Sequence, residues 1–189
     1  MTKNFVTGKV RLSYVNLWEP TSFKGNAPAY QCALIISKND KETMQGLQNE
    51  IKAAIEWGKK KFGSRFVQGG VDKLKLPIHD GDVERPNDPA YANSYYINVK
   101  SKQKPRIVDL NRKDIENPAE VYSGCYARVS LSVYPYEGSP NGITCGLINV
   151  QKLEDGESLC GRTTPDEDFN DDYVTKNYAT GSIVPDFLQ

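Results

Sequence analysis

Strict alternation over Tyr126–Tyr136 (YARVSLSVYPY) is the feature that most limits what this chain can fold into. Ala127, Val129, Leu131 and Val133 fall on one side; Tyr126, Arg128, Ser130, Ser132, Tyr134 and Tyr136 fall on the other. A period of two belongs to a half-buried strand. The apolar side is ordinary core. The other side carries three tyrosines, one arginine, two serines and no acid, which is not an ordinary solvent face. Flat aromatics spaced by a cation suit a surface on which bases stack and phosphates are neutralised. A sandwich strand packed on both sides is the competing reading, and this stretch alone does not decide between them.

More strands flank it. Asn4–Val15 reads as a first strand, with Val6, Val10, Leu12 and Tyr14 on one face and Thr7, Lys9, Arg11 and Ser13 on the other. Gly8 marks a bend or bulge. The segment Trp18–Pro28 (WEPTSFKGNAP) reads as a loop that carries Trp18, Phe23 and Lys24. It either lids a core or grips a base. Ala29–Ser37 is a second strand, almost continuously apolar and so covered on both faces. The period then changes. Met44, Leu47, Ile51, Ile55 and Phe62 recur at helical spacing behind Asn39 or Asp40 as cap, which predicts a helix over 40–61. The lysines 59–61 at its end oppose the negative pole of the dipole.

Residues 63–93 read as loop, with a short helix near Val71–Lys73. Ser94–Lys100 is a third strand, with Tyr96, Asn98 and Lys100 on its outer side. It runs into SKQKPR, so Lys100, Lys102, Lys104 and Arg106 cluster without an acid, and Ile107–Leu110 resumes a short strand. EGSPNG closes a hairpin into Ile143–Leu153, where Gly146 marks a bulge or a close approach. Five strands and one amphipathic helix after the second suit a mainly β fold. The expected form is a five-stranded OB-type Greek-key barrel with long loop insertions; a β-sandwich is the structural alternative.

Charge divides the chain. Residues 166–189 hold Lys176 against six acids, a balance of −5, which leaves residues 1–165 at +5 in a chain of zero formal charge. A basic body with an acidic end fits a polyanion binder that carries its own anionic tail, though such tails also serve solubility. The expected organisation is a binding domain over 1–165 and a loosely ordered tail over 166–189. No apolar run reaches membrane-spanning length and the start has no apolar leader core, so the expected location is the cytoplasm, with no membrane partner. Cys32, Cys125, Cys145 and Cys160 lack paired spacing, so buried thiols are expected rather than disulfides or zinc ligands. His79, Asp80, Asp82 and Glu84 form the one cluster that suggests a metal-dependent nuclease. Their spacing matches no calcium loop, and the chain has no second histidine. No cofactor or catalysis is expected.

Six stretches together resemble the Enc34-type family of bacteriophage single-stranded DNA-binding proteins. They are EP-x-x-F-x-G (Glu19–Gly25), LPIHDGD (Leu76–Asp82), YYINVKS (Tyr95–Ser101), RIVD (Arg106–Asp109), EVYSGCYARVSLSVYPY (Glu120–Tyr136) and GITCGLINVQKLEDGE (Gly142–Glu157). The resemblance spans Trp18 through Phe169. It implies an OB fold that binds single-stranded DNA during phage replication or recombination, in the host cell, without catalysis. Many single-strand binders end in an acidic tip with a terminal aromatic. Here the acidic cluster stops at Asp172 and the end reads GSIVPDFLQ, which departs from that pattern.

The contact residues come from alternation, not from the family. Lys100, Lys102, Lys104, Arg106 and Arg128, with Arg11 and Lys24, are expected to track phosphates; Tyr96, Tyr126, Tyr134 and Tyr136, with Phe23, are expected to stack bases. Acids 166–172 are expected either to occupy the groove or to recruit replication or recombination proteins. A rival reading buries the tyrosine face in a homo-oligomer or another assembly, and RNA is a milder alternative ligand.

Overall fold

Five long strands close into a ring. The computed structural model describes residues 4–22, 25 and 27–159; Phe23, Lys24, Cys160 and the acidic segment 166–189 lie outside the described residues. In chain order the strands are β1 (Phe5–Val6), β2 (Val10–Thr21), β3 (Ala29–Ser37), β4 (Ile78–Asp80), β5 (Ser94–Ser101), β6 (Arg106–Val108), β7 (Tyr126–Tyr136) and β8 (Gly142–Glu154). Helix α1 is Lys41–Phe62, and the single turn α2 is Gly81–Glu84. β2 pairs with β3, β3 with β5, β7 with β8 and β2 with β7, all antiparallel. The parallel pair β5–β8 completes the circuit. This is the expected OB-type barrel, and closure leaves the five ring strands no long free edge. β1, β4 and β6 extend its rims, so the sheet has eight strands where five were expected.

The interior is the inward half of each alternation. Ala127, Val129 and Leu131 of β7 meet Cys32, Leu34 and Ile36 of β3 and Ile143, Cys145, Leu147 and Val150 of β8 in one buried cluster. Full burial of each valine, leucine or isoleucine among them stabilises by roughly 1.5–3 kcal/mol. Helix α1 adds Met44, Leu47, Ile51, Ala54 and Ile55 to the same cluster and packs chiefly on β7. Asp40 caps it, its carboxylate accepting from the Thr43 N–H at 3.0 Å. Cys32, Cys125 and Cys145 are buried free thiols, and burial pushes the Cys32 and Cys145 thiols up to about 12.

The N-terminal strand departs from its expected register twice. Around Gly8 the chain turns so that Thr7 is buried and Val6 is exposed. Thr7 exchanges backbone and hydroxyl bonds with Val129, which satisfies a polar side chain inside. Further on, a register shift separates the pairs Ser13–Ala33 and Asn16–Gln31. One extra residue is inserted there, and Tyr14 is turned outward at φ 48° instead of joining the core. β2 also runs on through Trp18–Thr21, so the loop begins at Ser22.

Residues 63–93 hold more order than their composition suggested. Short 3-10 turns lie at Ser64–Val67, Val71–Lys73 and Pro89–Tyr91, and β4 pairs His79 with Tyr96 on β5. Beyond β8, residues 155–159 turn back over the barrel, held by the Leu159 N–H to the Ser123 carbonyl at 2.8 Å.

Candidate nucleic-acid interface

Strand pairing lines up two rows of outward-facing residues. The first runs Tyr126, Arg11, Ile35, Tyr96, His79 across β7, β2, β3, β5 and β4. The second runs Asn16, Gln31, Lys100, Gly146, Ser132 across β2, β3, β5, β8 and β7. They differ in what lies on them.

The first row is covered. Tyr96 is only 5% exposed. His79 stacks on its ring at 4.9 Å and 17°, Tyr91 meets it edge-on at 5.1 Å, and its hydroxyl donates to Glu84 Oε2 at 3.0 Å. Tyr96 is therefore on the outer side of β5 as its alternation predicts, but it is no open stacking platform. Its phenol is pushed up by burial. Burial also acts to raise the Glu84 carboxyl, but bonds from His79 and Tyr96 outweigh it and hold the group below its usual range. Ile35, Tyr91, Tyr96 and Leu159 make a second small core here.

Arg11 and Tyr126 are also engaged. Arg11 donates to the Gly124 carbonyl at 3.2 Å and the Glu157 carbonyl at 2.8 Å, and its Cζ is 5.8 Å from the Tyr126 ring centre. Lys9 Nζ is 5.0 Å from the same ring. Gly156 passes close enough that a Cβ there would lie 2.8 Å from Tyr126 Cε2. Arg11 is thus tied to the returning chain rather than held free for a phosphate.

The second row is open. Lys100, Lys102 and Lys104 are exposed, and none has an ion pair among the described residues. Lys104 Nζ lies 5.7 Å from the Trp18 ring. Trp18 packs partly on the core and donates from Nε1 to the Val121 carbonyl at 3.4 Å, so it roots in the body and meets the cation at its rim. Arg106 differs from its neighbours. It forks onto Asp114 with contacts of 2.9–3.1 Å, and its charge is met within the chain. Arg128 is exposed and leans on β1's exit, donating to the Thr7 carbonyl at 3.2 Å.

Gly146 forms the floor where Lys100 and Ser132 flank it. A Cβ there would lie 2.7 Å from Ser132 Oγ and 3.2 Å from Tyr134 Cε1. Tyr134, 37% exposed, lies against this bare backbone. Tyr136 uses Gly142 in the same way, its hydroxyl 2.7 Å from where a Cβ would stand. The close approach expected at Gly146 is present, and the register shift falls just beyond it, between the Ser130 and Leu131 pairings.

The acids of the nuclease reading are engaged with cations and hydroxyls. Lys38 Nζ binds Asp80 at 2.8 Å and Asp82 at 2.7 Å, and His79 Nδ1 lies 2.8 Å from Glu84 Oε1. The Lys38 bond holds the Asp82 carboxyl below its usual range. No group of three or more metal-ligating side chains stands together among the described residues. No helix among them is long and apolar enough to cross a membrane.

Comparison with known proteins follows the same lines. The family described as Enterobacter phage Enc34, ssDNA-binding protein, matches residues 3–179. A curated relative, the "Putative protein p50" of Acyrthosiphon pisum secondary endosymbiont phage 1, is 27% identical over 156 residues, 80% of this chain and 84% of its own. Among solved structures, the single-stranded DNA-binding protein of bacteriophage Enc34 in complex with ssDNA superposes with TM-score 0.68 at 24% identity, covering 82% of this chain and 89% of that one. Its C-terminal truncation gives 0.64 at 26%, covering 82% and 88%. Bacteriophage T7 gp2.5, a single-stranded DNA-binding protein, gives 0.60 at 16%, covering 86% and 98%; the likenesses at 24% and 16% are of fold.

Proposed function

The chain belongs to the Enterobacter phage Enc34 ssDNA-binding family, and from that premise we propose that it binds single-stranded DNA without sequence preference and protects it during phage replication or recombination. The observation that supports this most is the open row. Lys100 lies beside Gly146, with Tyr134 against that glycine, and the exposed Lys102 and Lys104 follow it along the chain, Lys104 reaching Trp18. A strand laid there would place phosphates on Lys100, Lys102, Lys104 and Arg128 and bases on Tyr134 and Tyr136. Four such phosphate contacts imply a slope of log affinity on log salt near −3, at about −0.7 per contact for single strands. Stacking on tyrosine ignores base identity, because every base has a π-face.

Binding of this kind involves no bond making or breaking, so the chain acts as a binder rather than an enzyme, in the cytoplasm of the host cell. Residues 1–165 supply the binding body. The acids of 166–172 either compete for the groove or recruit replication proteins, as the opposite charges of body and tail suggest. Removal of 166–189 then tightens DNA binding; an unchanged affinity rejects groove competition.

Titration of intrinsic fluorescence with oligo-dT of about thirty nucleotides, against duplex DNA and oligo-U, tests the whole reading. Quenching by oligo-dT that weakens steeply with salt, with little response to duplex, supports it. Equal response to oligo-U widens the ligand to single-stranded nucleic acid. No response to any polymer at low salt overturns it and favours an assembly role for the tyrosine face.

A further inference from the structure

Tyr14 is an energetic oddity. It is a bulky residue at φ 48°, in the left-handed region that side chains other than glycine rarely adopt, and it is 57% exposed. Neither burial nor backbone ease accounts for it. Arg85 lies over it, with Cζ 5.0 Å from the Tyr14 ring centre and Nη1 donating to the Tyr14 hydroxyl at 2.9 Å. The same guanidinium is 4.5 Å from the Tyr91 ring and 5.2 Å from the Tyr96 ring. No carboxylate pairs with Arg85 among the described residues. An arginine framed by three tyrosines is weakly hydrated, fixed in direction, and left with N–H donors to spare.

The position matters as much as the chemistry. Tyr14 sits in the β2 irregularity between Ser13 and Asn16, and Asn16 begins the open row through Gln31 and Lys100 to Gly146. Three strand steps of about 4.8 Å separate β2 from β8 along that row. Tyr14 and Arg85 stand between the covered row, which Arg85 touches at Tyr91 and Tyr96, and the Asn16 end of the open row.

We propose that Tyr14 and Arg85 form a terminal subsite of the groove, in which the free face of Tyr14 stacks one nucleobase and Arg85 takes the phosphate beside it. The subsite rests on the single-stranded DNA reading above. It explains why strain is kept at Tyr14: the bulge turns an aromatic ring outward at the rim of the row.

The test uses the full chain, oligo-dT, and three variants. Tyr14→Gly relieves the backbone, so its melting temperature holds or rises. Its affinity is expected to fall about tenfold, the loss of one stacked base. Tyr14→Phe keeps the ring and is expected to stay near the native affinity. Arg85→Gln is expected to flatten the salt slope by about 0.7. If Arg85→Gln fails to fold, Tyr14→Trp takes its place, with quenching by oligo-dT beyond that of the native chain as the expected result. Native-like affinity and slope in folded Tyr14→Gly and Arg85→Gln, or no added quenching in Tyr14→Trp, overturn the subsite while the native chain still binds DNA. A native chain that binds no single-stranded DNA overturns instead the reading on which the subsite rests.

Discussion

Lys100 on β5 and Gly146 on β8 are register partners across the one parallel pair that closes the barrel. The cation thus stands over a position with no side chain, and beyond that position Tyr134 and Ser132 rise from β7. Gly146 is buried, and the Tyr134 ring and the Ser132 hydroxyl fill the space its side chain would take, so the glycine seats the aromatic close beside the cation. This is the local arrangement on which the binding proposal depends.

Filling the floor should therefore harm binding more than folding. A valine at position 146 meets Ser132 Oγ and pushes the Tyr134 ring, which can swing outward. Gly146→Val is expected to cost about 1–2 kcal/mol of stability by overpacking, while its affinity for oligo-dT drops at least tenfold. Thermal melting and fluorescence titration on the same sample separate the two. Native affinity in a folded variant removes Gly146 from the site.

Cations in the 100–106 segment should not be equivalent. Lys100 has no ion pair among the described residues, whereas Arg106 is forked onto Asp114. Lys100→Ala is expected to reduce the salt slope by about 0.7, the release of one phosphate's counterion. Arg106→Ala should change the slope less, because a carboxylate already neutralises that charge. Equal slope changes in the two variants would show that DNA displaces Asp114.

The tyrosines should divide between binding and stability. Tyr134 is part-exposed on the open row, and Tyr96 is buried under His79 and Tyr91. Tyr134→Ala is expected to lose about 1–3 kcal/mol of binding with little change in melting. Tyr96→Ala is expected to lose about 3 kcal/mol of stability through the cavity it leaves. Circular-dichroism melts beside titrations decide the matter, and the reverse pattern would mean that the covered row opens to admit DNA.

What could be read from the sequence follows from what alternation encodes. β3 runs over Ala29–Ser37 and β7 over Tyr126–Tyr136 as the patterns mark them, because each strand's inward half is buried in one core. Helix α1 follows from its stripe and the Asp40 cap. Alternation names a face but not what covers it. Tyr96, Arg11 and Tyr126 face outward as expected, and the cover comes from residues 78–93 and 155–159, far along the chain. The Tyr14 bulge is set by the register of β2 on β3, which a single strand does not contain. β4 has three residues, too few to show a period. Glycine points ahead at two places: the chain turns around Gly8, and Gly146, which marks a close approach in the sequence, lies under the Tyr134 ring in the structure.

Acid should loosen the insertion over the covered row before it unfolds the barrel. Asp82 is held below its ordinary range by Lys38, and Glu84 by His79 and Tyr96 against the upward pull of burial. For a depressed carboxyl, the stabilisation is complete above its unfolded value of about 4 and is lost as pH falls through the lower folded value. Lys38, raised chiefly by its bond to Asp80, carries the opposite sign, and its contribution is lost only in strong alkali. A Lys38→Met variant lacks the pair with Asp82 at every pH. Its melting temperature should lie furthest below the native chain near pH 7, and the gap should close below about pH 4. A gap that stays constant down to that range would mean that Lys38 acts through packing on Tyr95, 5.0 Å away, and not through charge.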